Sequence, residues 1–281
     1  MSTFVTIDWD FFIPHGMYER VKIHGEEVPG MLVYDWQMSE SRSDILESIV
    51  WETRYFNFRT WGLDIQKLLT PPLSIEDFSS ELSVRMGDYS TPTCWRSDSH
   101  AWAGILAKDY SERLGPLSVV NFDAHHDLGY NDNQMGDFKE TGNLSCENWA
   151  WVGLDQGWIK DYTLVYPDWQ GKEEFGPEIR KLIGKSTHRP NIVVKTWSEW
   201  KDDIEEVELI HYCRSSSWTA PWLDEGFQRL TEEFGYSECL DCMFKHKGPY
   251  DTCEIRRWDW QEVEEMYEQR RMMIDMLKEK T

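Results

Sequence analysis

Two short stretches of this chain collect the side chains that hard metal ions prefer. The first reads Thr6-Ile7-Asp8-Trp9-Asp10-Phe11-Phe12-Ile13-Pro14, and the second Asn121-Phe122-Asp123-Ala124-His125-His126-Asp127-Leu128-Gly129. Carboxylates mixed with a few imidazoles suit Mn2+, Fe2+ or Zn2+, and an excess of carboxylates favours Mn2+. An Asp-x-Asp pair alone is more often a turn or a solvated strand end. Asp-x-His-x-Asp directly behind an apolar run is more specific for a metal, although His125 alone could be a structural histidine. On an extended segment alternate residues share a face. Asp8 then pairs with Asp10, and Asp123 with His125 and Asp127. His126 points the other way, behind the ligands or toward a substrate.

Such clusters need a scaffold, and the flanking pattern supplies one. Each follows a short β-rich run, residues 4–7 and 117–122, and side chains at the carboxyl ends of parallel strands face the crevice where α/β proteins bind ligands. Residues 43–85 read as mainly helical, interrupted at Pro71-Pro72, with Ser74-x-x-Asp77 as a helix start. Residues 100–114 have helical spacing, with Trp102, Ile105, Leu106 and Tyr110 on one side and Gly115-Pro116 as the stop. Residues 163–166, 191–194 and 208–212 are further strand candidates. Residues 221–234 form a helix with Pro221 in its first turn and Gly235 behind it, and 261–280 a charged amphipathic helix. Strands separated by helices predict one domain over residues 1–281, a three-layer α/β/α fold with a mostly parallel sheet.

Composition narrows the function classes. With 29 Lys+Arg against 51 Asp+Glu, the net charge of −22 argues against nucleic acid or an anionic membrane surface as partner. It suits a neutral or cationic partner, and equally serves solubility. The 16 Trp, 12 Tyr and 12 Phe provide core material and argue against disorder. No run of 18 apolar residues or secretory leader is found, and six cysteines in 281 residues are too sparse for a disulfide framework. A cytoplasmic location is expected.

Asp123-Ala124-His125-His126-Asp127 resembles the Asp-Ala-His-x-Asp motif of the arginase, or ureohydrolase, family. Ser97-Asp98-Ser99-His100-Ala101 resembles that family's Gly-Gly-Asp-His-Ser segment, with His100 where its first metal-binding histidine stands. Thr141-Gly142-Asn143-Leu144 resembles its Ser-Gly-Asn-Leu stretch, and Asp8-x-Asp10-x-x-x-Pro14 its Asp-x-Asp-x-x-Asp-Pro. The pattern departs in two ways: the Asp-x-Asp strand comes first in the chain instead of last, and Ser145 stands where the family has a proton-shuttling histidine. These departures, with residues 142–149, resemble the atypical peptide arginases, which convert arginine in a ribosomally made peptide to ornithine.

The resemblance implies an arginase/deacetylase-like fold and two Mn2+ ions. One ion would take His100, Asp123, Asp127 and Asp8, and the other His125, Asp123, Asp8 and Asp10. A water shared by two cations ionises near neutral pH and can attack a guanidinium carbon, releasing urea. His126 and Asp127 are the catalytic candidates, His126 as replacement for the missing shuttle. Asn143 and Glu147 are substrate-binding candidates, and Asp98 is a second acid able to pair a guanidinium. An arginine-containing precursor peptide is the expected partner. The rivals are a free-arginine or agmatine ureohydrolase, a metal-dependent deacetylase or other amidohydrolase on the same fold, and a non-catalytic metal-binding protein.

Two further features stand apart. Cys239, Cys242, His246 and Cys253 could hold a structural Zn2+, although their spacing fits no common knuckle and reduced thiols are the simpler reading. Arg214-Ser215-Ser216-Ser217-Trp218, behind a strand, either faces the same cleft or is a polar surface loop.

Overall fold

The β-branched and aromatic runs pair side by side. In the computed structural model, which describes residues 2–14, 21–23, 26–28, 44–87, 91–129, 138, 140–170, 191–216, 218–235, 238–240 and 258–278, one sheet contains β1 (Thr3–Asp8), β4 (Thr93–Ser97), β5 (Leu117–Phe122), β6 (Ile159–Tyr166), β7 (Asn191–Thr196), β8 (Val207–Cys213) and the two-residue β9 (Glu238–Cys239). Their order is β7-β6-β5-β1-β8-β4-β9, and every pairing is parallel. A separate antiparallel pair joins β2 (Val21–Ile23) to β3 (Glu26–Val28). The expected mostly parallel α/β sheet is present.

Each face of the sheet has its own core. Phe4, Val119, Leu164 and Leu209 pack against α4 (Ala101–Leu114) and α5 (Trp149–Asp155). Val5, Ile7, Val165, Ile210 and Tyr212 pack on the other side against α1 (Asp44–Thr60), α3 (Ile75–Met86), α6 (Asp224–Glu233) and α7 (Trp260–Lys278), near the short α2 (Ile65–Leu68). Alternation along β1 sends Phe4 to one core and Val5 and Ile7 to the other, which is why a central strand reads as a continuous apolar run. Helices on both faces make the three layers.

The helix signals hold where a cap carries them. Ser74 Oγ accepts the Asp77 N–H at 3.0 Å and opens α3, and Gly115, at φ 83°, closes α4. Pro221 opens a 3-10 turn (Pro221–Leu223) that leads into α6. One helical face differs from expectation: Ile105 is exposed, and α4 buries Ala103, Gly104, Leu106 and Ala107 instead. Small residues there let α5 approach closely. A Cβ on Gly104 would lie 2.9 Å from Trp149 Cβ and 3.1 Å from Leu144 Cδ1. β4 and α5 carry no periodic signal, since β4 is short and α5 is buried from Trp149 to Leu154.

Among the described residues no helix is long and apolar enough to cross a membrane. Cys242, His246 and Cys253 lie outside the described residues. Cys239 is disulfide-bonded, which leaves it no thiolate for the expected structural zinc. The expectation of reduced thiols fails there for the same reason.

Candidate metal centre

The connection from β1 runs on toward β4 on one side of the sheet, whereas that from β5 runs to β6 on the other. Between strands whose chains depart in opposite directions a crevice opens at their carboxyl ends. Asp8 ends β1 and Asp123 follows β5, so both acidic clusters meet in that crevice.

Neither cluster is extended. Trp9–Phe12 is a 3-10 turn, with the Asp8 carboxylate accepting the Asp10 N–H at 3.0 Å. The turn, not strand alternation, brings Asp10 to the same side. Its carboxylate accepts the Ala124 N–H at 3.3 Å, tying the two loops together. Asp123 accepts the His125 N–H at 2.7 Å, and Asp127 takes a left-handed φ of 52°. These two bends replace the expected alternation along residues 123–127.

The side chains converge on two points that share Asp123. One group is Asp8, His100 and Asp123, and the other Asp10, Asp123 and His125; within each, the ligand atoms lie inside 4.8 Å of one another. His100 Nδ1 lies 2.8 Å from Asp127 Oδ2, 3.0 Å from Asp123 Oδ2 and 3.2 Å from Asp8 Oδ2. His125 Nδ1 lies 2.8 Å from Asp10 Oδ2 and 3.7 Å from Asp123 Oδ1. His100 is buried, and its Nδ1 makes no well-aligned hydrogen bond despite three carboxylates in reach. One ring nitrogen cannot satisfy three acids, whereas a cation among them satisfies all four groups. The donor set fits a metal: five of the six expected ligands form the two groups, and Asp127 adjoins them at His100.

The buried acids and imidazoles shift one another's protonation. Burial pushes the Asp10 carboxyl well above its ordinary range, and the Asp8 and Asp123 charges add to this. Burial also raises Asp127, to about 7, helped by Asp123. Asp123 goes the other way, because His100 and His125 overcome its burial. Burial opposes protonation of both histidines, yet the carboxylates of Asp127, Asp123 and Asp8 raise His100, and those of Asp10 and Asp123 raise His125. Protonated imidazoles would offset part of the clustered negative charge.

The outer contacts come from residues to which the sequence assigns no ligand role. Trp149 Nε1 donates to Asp127 Oδ2 at 2.6 Å. Asn121 Nδ2 donates to Asp123 Oδ2 at 3.1 Å. Ser215 Oγ donates to Asp8 Oδ2 at 2.6 Å from a backbone at φ 48°. Residues 214–216 and Trp218 therefore border the cleft: Trp218 packs against the His125 ring at 5.3 Å between centroids. Arg214 is buried in an ion pair with Asp224 and lies 3.4 Å from Asp98, so Asp98 already serves a guanidinium of the chain itself.

The remaining candidates divide. His126 is buried, with its Nδ1 accepting the Leu128 N–H at 3.1 Å, and burial followed by the His125 charge lowers its pKa to about 4. Glu147 stands exposed at the rim. Crowding by neighbouring atoms raises its pKa, and His125 nearby opposes the rise. Its carbonyl accepts the Gly129 N–H at 2.7 Å, which anchors this rim to the end of the Asp123–Asp127 loop. Asn143 is exposed and, among the described contacts, its N–H bonds only to Thr141 Oγ1. Among the described contacts none brings Asn143 to the cluster.

No protein-family model, no curated protein and no solved structure matches the chain. The likeness to arginases rests on the motifs alone.

Proposed function

We propose that this chain is a two-metal amidinohydrolase, loaded with Mn2+, that hydrolyses the guanidinium of arginine side chains in a peptide to ornithine and urea. The observation that carries this reading is the carboxylate of Asp123 shared between the His100 and His125 groups. A shared acid between two ligand sets is the arrangement that holds paired ions, and the carboxylate excess favours Mn2+ over Zn2+. Ions held there would supply a water that ionises near neutral pH.

The chain's own residues would do the rest. The rim beside His125 offers Glu147 as an acceptor for paired guanidinium N–H groups and Trp218 as an aromatic wall for a planar cation. His125, with a side chain 28% exposed, is the one ligand open to solvent, while Asp8, Asp10, His100, Asp123 and Asp127 are buried. A substrate carbon therefore approaches from the His125 side. The overall charge of −22 draws a cationic peptide by long-range attraction.

The test is urea release after Mn2+ loading, with an arginine-containing peptide and free arginine side by side and Asp123→Ala as control. Urea from the peptide, lost about 10²–10³-fold in the control, is the expected result, on the scale of removing a principal charge-stabilising group. Urea from free arginine alone would move the protein to the free-amino-acid ureohydrolases. None from either, with two ions bound, would remove the amidinohydrolase reading.

A further inference from the structure

Behind His100 lies a chain of hydrogen bonds that leaves the cluster and returns to its own segment. Thr6 Oγ1 is 2.8 Å from His100 Nε2 and 3.1 Å from His211 Nδ1. His211 Nε2 is 2.8 Å from Ser97 Oγ, which is 2.8 Å from the Ser99 carbonyl oxygen. The four side chains are at most 3% exposed. Sheet register explains the meeting: β8 lies between β1 and β4, and His211 is the register partner of Thr6. The His100 and His211 rings lie 5.8 Å apart, only 28° from parallel.

Donor accounting gives this chain one direction. A carbonyl only accepts, so the single Ser97 proton goes to Ser99 O, and Ser97 Oγ accepts from His211 Nε2–H. His211 is fully buried and, among the described contacts, its ring nitrogens meet only the hydroxyls of Thr6 and Ser97, so no acid holds a second proton on it. Its Nδ1 therefore accepts, and takes the single proton of Thr6. Thr6 Oγ1 is left to accept from His100 Nε2–H. Reversing the direction would leave the Ser97 and Ser99 oxygens 2.8 Å apart with no proton between them.

We propose that Thr6, His211 and Ser97 are positioning residues that keep a proton on His100 Nε2, so that His100 always presents Nδ1 to Asp8, Asp123 and Asp127. The inference rests on the metal-centre reading and assigns a purpose to a buried histidine outside both acidic motifs. A metal-ligating imidazole needs its other nitrogen held by an outer partner, and losing such a partner costs about 10–100-fold in affinity. Here the partner is a hydroxyl, and its own orientation is set by a second histidine.

Calorimetric titration of the metal-stripped protein with Mn2+ tests this through binding, independent of turnover. Thr6→Val keeps the shape and removes the hydroxyl; Thr6→Ser keeps the hydroxyl and loses the methyl. The expected result is about a 10–100-fold weaker affinity at one of two sites in Thr6→Val, with the second site unchanged and Thr6→Ser near wild type. A role in packing alone predicts the opposite ranking. Ser97→Ala, at the far end, is expected to weaken the same site less, and carries the test if Thr6→Val does not fold. Wild-type affinity at both sites in Thr6→Val and Ser97→Ala would overturn the relay and leave the metal centre standing. No Mn2+ bound by the wild-type protein would overturn both.

Discussion

At the residue scale, the acids and imidazoles of the two motifs are recognisable because hard-ligand clusters behind apolar runs are uncommon. The geometry that joins them is not. Alternation was the expected reason for Asp8 to face the same way as Asp10, and a 3-10 turn does it instead. Thr6, Ser97, His211 and Trp149 lie in stretches that the sequence singles out, but their roles are not legible there, because a hydroxyl, an imidazole or an indole in a buried strand or helix looks like any core residue until its partner is known. His126 yields a prediction from its charge state. Its pKa of about 4, against 6.5 for an ordinary histidine, means that the fold holds it neutral. The unfolded chain thus takes up its proton first. Stability present above pH 6.5 is lost as the pH falls toward 4, by about 3 kcal/mol at ~1.4 kcal/mol per pH unit. His126→Asn retains an acceptor for the Leu128 N–H and does not titrate. Denaturant unfolding of the metal-free variant should show a shallower loss between pH 6.5 and 4 than the wild type; parallel curves would mean that His126 is not the group responsible.

At the element scale, strands and capped helices are legible, whereas the packing of one helix on another is not. The spacing within 100–114 suggests Ile105 as a core residue, yet the close contact of α4 with α5 turns Ala103, Gly104 and Ala107 inward. That contact matters to the site. α4 carries His100 at its N-terminal end, and α5 begins at Trp149, which holds Asp127. Gly104→Ala places its methyl against Trp149 Cβ, a backbone-proximal atom with little freedom to give. The expected cost is roughly 1–3 kcal/mol of stability from overpacking. Loosened Mn2+ binding at the His100 group should accompany it. A calorimetric scan and a metal titration on the same sample check both, and a loss of stability without any loss of affinity would separate the helix contact from the site.

At the scale of the whole molecule, alternating strand and helix patterns suffice for an α/β/α domain, because burial on both faces of a parallel sheet leaves a plain mark on composition. The strand order does not show in the sequence, since nothing local says that β1 lies between β5 and β8. Assembling acids from these separate strands creates a strong dependence of metal binding on pH. In the metal-free protein the carboxylates, Asp127 and Asp123 foremost for one ring and Asp10 for the other, raise the pKa of His100 and His125 above 6.5. That stabilisation is full below pH 6.5 and fades as the pH rises through the raised values. An ion must displace the Nδ1 protons. The rise in melting temperature on adding Mn2+ should therefore grow from pH 6.5 to 9. A shift that stays flat over this range would mean that no proton is displaced.

The central strand also sets an order of events in time. Thr6 bonds to His211, 205 residues further along, and Ser215 reaches Asp8 across 207. Contacts of such separation close late, after the loop entropy between them has been overcome. An ion that needs Asp8, His100 and Asp123 together finds no complete site in a half-folded chain. It acts as a latch on the finished fold, not as a seed for it. Stopped-flow measurements should show Mn2+ slowing unfolding while leaving the refolding rate unchanged. Faster refolding in Mn2+ would place the ligands together before the barrier.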